Sequence, residues 1–411
     1  MSIISNYFPP EIGAASSRIF TMAVLLQNTG MDVEVLTTLP NHPFGRIFHT
    51  YRGKFMIKET VKGIRIRRFW LFASNSSRSL PRIVSMLSLS VTIFAALPHL
   101  IFRRPRVVIV NSPPLLLGLS GVILSALCGA RMVLNISDIW PLSAFNMGAM
   151  SKGFLYRRLE GIERFMYRAS HGFLGQSNEI LEHVRSIQPR KPALLYRNFA
   201  RVSKFIDDFP KKNQKNIRII YAGLLGVAQG LADICRNVDF RSLRAEFHIY
   251  GDGNERALIE KYIKTHSDCH IFVHNTVSPD ALSEVLAQFH AMLVPLKSSI
   301  RGAMPSKLYT ALASGMPVIF SGSGEGERFV IQYGLGWVSD PANYNALQKN
   351  IEQLANIEER EYRNLRKSIS HIAKTQFSIE MQGNDLVNFL RQRPLNPSPK
   401  AHMDADMEKL P

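Results

Sequence analysis

The chain of 411 residues is poor in cysteine, in tryptophan and, over its first half, in acidic residues. Its three cysteines, Cys128, Cys235 and Cys269, stand too far apart for a metal-ligand spacing or a disulfide framework. They read as buried thiols of a protein kept in a reducing compartment. No charged-then-apolar leader opens the sequence, which starts directly on Ser2-Ile3-Ile4-Ser5, so a cytoplasmic protein is expected. Either the sheet tolerates so short a first strand or the true start lies upstream of Met1. Residues 83–102 and 107–130 carry no charge, yet neither reads as a plain membrane span, which needs about 20 apolar residues. The first bears Ser85, Ser88, Thr92 and His99 close to one helical face and Pro98 near its end; the second is broken by Asn111-Ser112-Pro113-Pro114. The first is expected to be an amphipathic helix, packed on a sheet or lying in a membrane interface, and the second a strand, a loop and a core helix.

What is present is ordinary globular material, with 46% hydrophobic and 20% charged residues, which excludes a disordered chain, a collagen and a coiled coil. At ~150 residues per domain the length accommodates two or three domains. The formal charge is +18, and it is uneven: residues 1–200 hold 24 basic and 9 acidic side chains, residues 201–411 hold 26 and 23. Arg52 to Arg106 alone holds 12 basic residues and one acid, Glu59. Such a run is either a solvated face or a surface for phosphates of nucleotides, nucleic acid or anionic lipid.

Short β-rich runs alternate with helix-length amphipathic segments. Val33–Leu36, Ile64–Ile66, Val107–Val110 and Met132–Ile136 read as strands of one parallel sheet. The pattern restarts with Ile217–Ala222, Ala245–Tyr250, His270–Val273, Ala291–Pro295 and Pro317–Phe320. Between the two series lies the polar, lysine-rich Lys204–Asn216, of linker composition. The expected organisation is a first domain over 1–200, a second over 201–377, a helix at about 378–392 returning to the first domain, and a disordered tail over 393–411.

Four clusters fall where strands should end, the position ligands take in open α/β sheets. Asn6–Arg18 runs through Glu11 and the small residues Gly13 to Ser17 into a helix start, which suits a phosphate, with Arg18 as a charged donor; an ordinary strand–helix loop would look the same. Asp138, in Ser137-Asp138-Ile139-Trp140-Pro141, is placed either to orient sugar hydroxyls and move a proton or to cap a helix. Tyr221–Leu231 carries Gly223, Gly226 and Gln229 and lacks the dinucleotide spacing. The last cluster, Arg301–Tyr309 with Ala313–Ile319 and Ser321–Glu327, sets Ser306 and Lys307 at a helix start, suited to a diphosphate. It is not a Walker loop, because the Gly-Lys-Ser/Thr order is absent.

Taken in order, these segments resemble a family 4 retaining glycosyltransferase of GT-B fold, most similar to the bacterial branch that builds O-antigen, capsule and colanic-acid-type polysaccharides and to its L-fucosamine transferases. The carrying residues are Tyr7-Phe8-Pro9-Pro10-Glu11, Pro40-Asn41-His42-Pro43, Ser112-Pro113-Pro114, Asp138-Ile139-Trp140-Pro141, Gly223-Leu224-Leu225-Gly226 with Gln229-Gly230-Leu231, Gly251-Asp252-Gly253, and Pro305-Ser306-Lys307 with Ala313–Val318. The resemblance covers roughly residues 1–392. It implies an α/β protein with two Rossmann-like parallel-sheet domains facing across a cleft. The second domain would bind a UDP-sugar through Gly223, Gly226, Gln229, Gly251, Asn275, Ser306, Lys307, Gly324 and Glu325, with Lys307 neutralising the diphosphate and Asn275 near the base. The first would hold the acceptor, with Glu11, Gly13 and Arg18 at the cleft and Asp138 at the reacting centre. Catalytic roles fall on Asp138 and Lys307. No metal and no cofactor beyond the donor are expected. The implied acceptor is a polyprenyl-diphosphate-linked saccharide, reached by peripheral association with the anionic inner membrane. One departure stands out. The family's two glutamates, with seven residues between them, fall on Gly302 and Thr310, which leaves the ribose partner unassigned. Two rival readings are a sugar-nucleotide epimerase of the same fold and a non-catalytic basic binder. With no nucleic-acid module or basic–aromatic stripe, no nucleic-acid partner is expected.

Overall fold

The computed structural model describes residues 1–11, 13–42, 44–74, 76, 79–198, 216–278 and 281–392. The expected linker, apart from Asn216, and the expected tail lie outside the described residues.

Fourteen strands form two sheets among the described residues. The first sheet contains β1 (Ser2–Ile4), β2 (Glu34–Thr38), β3 (Met56–Val61), β4 (Ile64–Phe69), β5 (Val107–Ser112), β6 (Arg131–Ile136), β7 (Gly172–Gly175) and β8 (Ala193–Leu195). Their order is β3-β4-β2-β1-β5-β6-β7-β8, parallel except for β3, which runs antiparallel to β4. The second contains β9 (Ile217–Ala222), β10 (Ala245–Tyr250), β11 (Ile271–His274), β12 (Ala291–Pro295), β13 (Val318–Ser321) and β14 (Gly336–Ser339), all parallel, in the order β11-β10-β9-β12-β13-β14. The short β1 is central and fully buried, pairing with β2 and β5 on either side.

Helices cover both faces of each sheet. On one face of the first sheet, helices Ser79–Thr92, Leu115–Leu127 and Phe154–Ala169 close a core around Leu89, Leu124 and Met166. On the other face, helices Ala14–Asn28 and Ile379–Arg391 enclose Ile19, Phe20, Leu386 and Leu390. The C-terminal helix therefore returns to the first sheet, and the Arg197 N–H is held by Gln382 Oε1 at 2.9 Å. The uncharged stretch 83–102 is not one helix: it breaks into helix Ser79–Thr92, a 3-10 turn Ile93–Ala96 and helix Leu97–Arg103 with Pro98 in its first turn. A proline is tolerated there because that N–H has no intrahelical partner.

Each sheet reverses its winding once, between β1 and β5 in the first and between β9 and β12 in the second. Diverging connections at such points open a crevice beyond the strand ends. Loop 5–13 follows β1, Gly223–Gly230 follows β9, and the segment before helix Ser306–Ala313 follows β12.

Candidate active site

The second domain's crevice is built around Gly223 and Lys307. Helix Ser306–Ala313 begins at Ser306, behind the cap Pro305, so Lys307 stands in its first turn. Gly223 has φ +148°, which favours glycine, and a Cβ there would lie 2.7 Å from Lys307 Cε and 2.8 Å from Nζ, so a side chain would displace the lysine tip from this loop. The ammonium lies 4.8 Å from the Tyr221 ring centre. It has no ion-pair partner among the described residues, and burial lowers its pKa to about 8. A half-buried cation without a carboxylate is poised for an anionic ligand.

The neighbouring glycines serve backbone crossing. A Cβ at Gly251 would fall 1.9 Å from the Gly223 carbonyl, so the loops after β9 and β10 pass too closely for any side chain. Gly226 packs against Gln229, whose Oε1 is buried without a hydrogen-bond partner among the described residues. Asn275 follows β11, where Arg256 binds the carbonyls of Gly251 (2.8 Å) and His274 (3.2 Å) and reaches Asn275 Oδ1 at 3.4 Å. Tyr250 and His274 stack at 4.2 Å beside it, an aromatic pair where a base was expected. His274 and Asn275 are the residues expected near the base; Arg256 and the stacking partner Tyr250 give no such signal, because residues brought together at strand ends leave no local pattern.

In the first domain, Gly13 borders open space: a Cβ there would meet nothing within 4 Å. It precedes helix Ala14–Asn28, whose first turn has no side-chain cap. Glu11 and Arg18, expected at the cleft surface, turn inward. Glu11 is 3% exposed, and its carboxylate accepts the N–H groups of Phe8 (3.2 Å), Asn41 (2.9 Å) and His42 (2.9 Å), tying two loops together. Burial raises its pKa despite those bonds. Arg18 is 2% exposed and donates from Nη2 to Ser137 Oγ and, at 3.4 Å, to Asn111 Oδ1. It braces the ends of β5 and β6, from which Asp138 emerges. Burial lowers its pKa to about 10, so it stays cationic near neutrality.

Asp138 does not cap a helix: the following helix, Leu142–Asn146, is preceded by Pro141. Its Oδ1 is buried with no hydrogen-bond partner among the described residues, and burial lifts its carboxyl above the usual range. The adjoining Ile139 meets the second domain, since a Cβ at Gly302 would touch its side chain at 3.0 Å.

Glu325 turns its carboxylate to the first domain. Its carboxylate accepts the N–H groups of Asn178 (2.6 Å) and Glu179 (2.9 Å), the first two residues of helix Asn178–Ile187. In return Glu179 accepts the Gly302 N–H at 2.6 Å and pairs with Arg328, and Ser177 Oγ donates to the Gly302 carbonyl at 2.9 Å. These exchanged contacts clasp the domains beside a cavity of about 730 Å³. Gly324, at φ +86°, opens helix Glu325–Gln332. Thr310, at one family glutamate position, directs its hydroxyl to the Ser306 carbonyl at 3.5 Å. Among the described residues no group of three or more His, Cys, Asp or Glu is placed to hold a metal ion.

This two-domain crevice can be compared with known proteins. The family model "Glycosyl transferase 4-like domain" matches residues 13–196, and "Glycosyl transferases group 1" matches residues 202–376. Between them the two models cover every strand but β1, and the chain is a glycosyltransferase. Its fold is GT-B. The glycosyltransferase is 24% identical over 326 residues to a putative colanic acid biosynthesis glycosyl transferase, WcaI of Escherichia coli K12, covering 75% of this chain and 79% of that one. It is 23% identical over 272 residues to a probable glycosyltransferase, WbjE of Pseudomonas aeruginosa, covering 62% and 68%. Anabaena HepE, solved with UDP and glucose, superposes with a TM-score of 0.65 at 11% identity, over 95% of this chain and 99% of that one.

Proposed function

We propose that this glycosyltransferase moves a hexosyl group, with an N-acetylamino-deoxy sugar a plausible case, from a UDP-sugar to a polyprenyl-diphosphate-linked saccharide. The transfer retains anomeric configuration and serves bacterial surface polysaccharide synthesis at the cytoplasmic face of the inner membrane. The observation that carries the donor half is Lys307: a half-buried ammonium with no ion-pair partner among the described residues, at the winding reversal of the second sheet, against a glycine that admits it. The WcaI and WbjE relatives support the polysaccharide role, and HepE with its bound UDP supports the nucleotide.

Transfer separates charge, positive at the anomeric carbon and negative on the departing diphosphate. Lys307 and the backbone N–H groups at the starts of helices Ser306–Ala313 and Glu325–Gln332 would meet that negative charge. The departing phosphate takes the acceptor hydroxyl's proton on the same face, and Asp138 orients that hydroxyl. No metal is called on in this reading.

The test is incubation with a panel of UDP-sugars and a polyprenyl-diphosphate-linked acceptor, with products read by mass spectrometry and the new linkage by NMR. A glycosylated acceptor with the donor's anomeric configuration is expected. An inverted linkage removes the retention claim. Epimerised sugar formed without acceptor would assign the epimerase reading instead.

A further inference from the structure

The loops that follow β1 and β2, residues 7–11 and 40–42, have no part in the transfer step, yet two buried charged side chains bind them together. The Glu11 carboxylate accepts the Phe8 N–H of its own loop and, from the other, the N–H groups of Asn41 and His42 and the Asn41 amide Nδ2 at 3.3 Å. Arg68, fully buried on β4, donates to the Thr38 carbonyl at 3.1 Å, to the Pro9 carbonyl and to Glu59 at 2.5 Å. Phe8 is buried against Phe20, their ring centres 5.7 Å apart. A buried charge is tolerated only when its hydrogen bonds are made, so these contacts leave little freedom in either loop.

The braced loops present an aromatic pair at the strand ends. The half-buried Tyr7 meets the exposed His42 edge to face, with ring centres 5.3 Å apart. The Arg68 guanidinium is taken by Thr38, Pro9 and Glu59, and the charge bonded to the His42 N–H is the Glu11 carboxylate, which disfavours a phosphate here. Ring faces and imidazole nitrogens suit instead the C–H face and hydroxyls of a neutral sugar.

The sheet sets this pair apart from the reacting centre. Asp138 follows β6, and the order β2-β1-β5-β6 puts three strand steps, about 14 Å, between the ends of β2 and β6. That is longer than one sugar ring. The ground between is open at Gly13, where a Cβ would meet nothing within 4 Å. A single segment sets both ends: Glu11 ties it to the loop after β2, and Arg18 ties it to Ser137 beside Asp138.

We propose that Tyr7 and His42 form a second saccharide subsite, which takes a neutral sugar of the acceptor set back from the residue that is glycosylated beside Asp138. The acceptor is then an oligosaccharide and not a single sugar, so earlier glycosyl transfers onto the same carrier must supply it. The proposal deepens the function proposed above and rests on its acceptor.

The test is transfer from the UDP-sugar panel to polyprenyl diphosphate carrying one, two or three β-linked N-acetylglucosamine units. For the wild type, KM should fall at least about tenfold from the one-sugar to the three-sugar acceptor. His42→Ala and Tyr7→Leu should each raise the three-sugar KM at least about fivefold, with kcat and the one-sugar KM within about twofold of the wild type. Thermal melting and UDP titration check the fold of each variant, and the exposed His42 keeps the test decisive if Tyr7→Leu unfolds. A wild-type KM independent of acceptor length overturns the proposal. So does a three-sugar KM that His42→Ala leaves unchanged, or one raised no more than the one-sugar KM. Reaction with none of the three acceptors removes the acceptor reading above, and saturation-transfer NMR with free tri-N-acetylchitotriose then decides the subsite. A signal that His42→Ala abolishes supports it; no signal, or one that the change leaves intact, overturns it.

Discussion

At the residue scale, burial moves Lys307 and Asp138 in opposite directions, and both shifts disfavour the charged form. For Lys307 the sign gives a binding profile. The free ammonium deprotonates near pH 8, while a bound diphosphate favours the charged form, so UDP affinity should be flat below about pH 7 and fall as pH rises through 8. Lys307→Arg should abolish that slope, which calorimetric titration across pH would show. Asp138→Asn should lower turnover about 100-fold with UDP affinity unchanged, checked by steady-state kinetics beside the same titration. Lys307 was legible because a helix start is a local pattern and its first turn fixes where the side chain goes. Glu325, Glu11 and Arg18 were legible only as loop and helix-start residues. The partners of Glu325 lie 147 and 146 residues away in sequence, and those of Arg18 93 and 119, so which way each side chain turns is decided by packing that no local pattern encodes.

At the element scale, the central strands read from sequence bury both faces. Val107–Val110 and Ala291–Pro295 are continuous apolar runs, as parallel central strands require. The strands that the sequence reading misses are β3, β7, β8 and β14. β3 is an antiparallel edge strand with Lys58 and Glu59 among its residues, and β7 begins and ends on glycine. The charged residues beside the first sheet are also more structural than their number suggests. Glu34, 3% exposed, is held by Arg67 (2.8 Å), His99 (2.9 Å) and Arg103 (2.6 Å). Burial raises its pKa, and these partners outweigh it and hold the carboxyl below its usual range. Its contribution is therefore complete above the ordinary carboxyl range and lost as pH falls through the depressed value. Glu34→Gln should cost about 3 kcal/mol in urea unfolding at neutral pH, a loss that shrinks under acid conditions. The clasp gives a second element-scale prediction. Glu325→Ala leaves the start of helix Asn178–Ile187 without the acceptor for its first two N–H groups. Stability should fall by about 2 kcal/mol, and X-ray scattering should show a larger radius of gyration as the domains part. An unchanged radius would mean that packing of Gly302 on Ile139 and Ile180 closes the cleft by itself.

At the scale of the whole molecule, two doubly wound sheets set their winding reversals toward one crevice, and the helix Ile379–Arg391 returns to the sheet that begins the chain. The alternation of runs made this architecture legible, and the ordered motifs made the family legible. What the sequence left open was the direction of the amphipathic stretch 83–102, because a polar stripe turned toward the protein and one turned toward water share the same periodicity. Donor binding in the second domain turns on a nucleotide-sugar site around Lys307. Calorimetric titration with UDP, in the absence of added metal, tests it most directly on the wild type and Lys307→Ala. The wild type should bind, and the substitution should weaken binding at least about tenfold, the loss expected for one charge-assisted contact. A folded wild type that binds no UDP, or a Lys307→Ala protein that binds it as tightly, would contradict the claim.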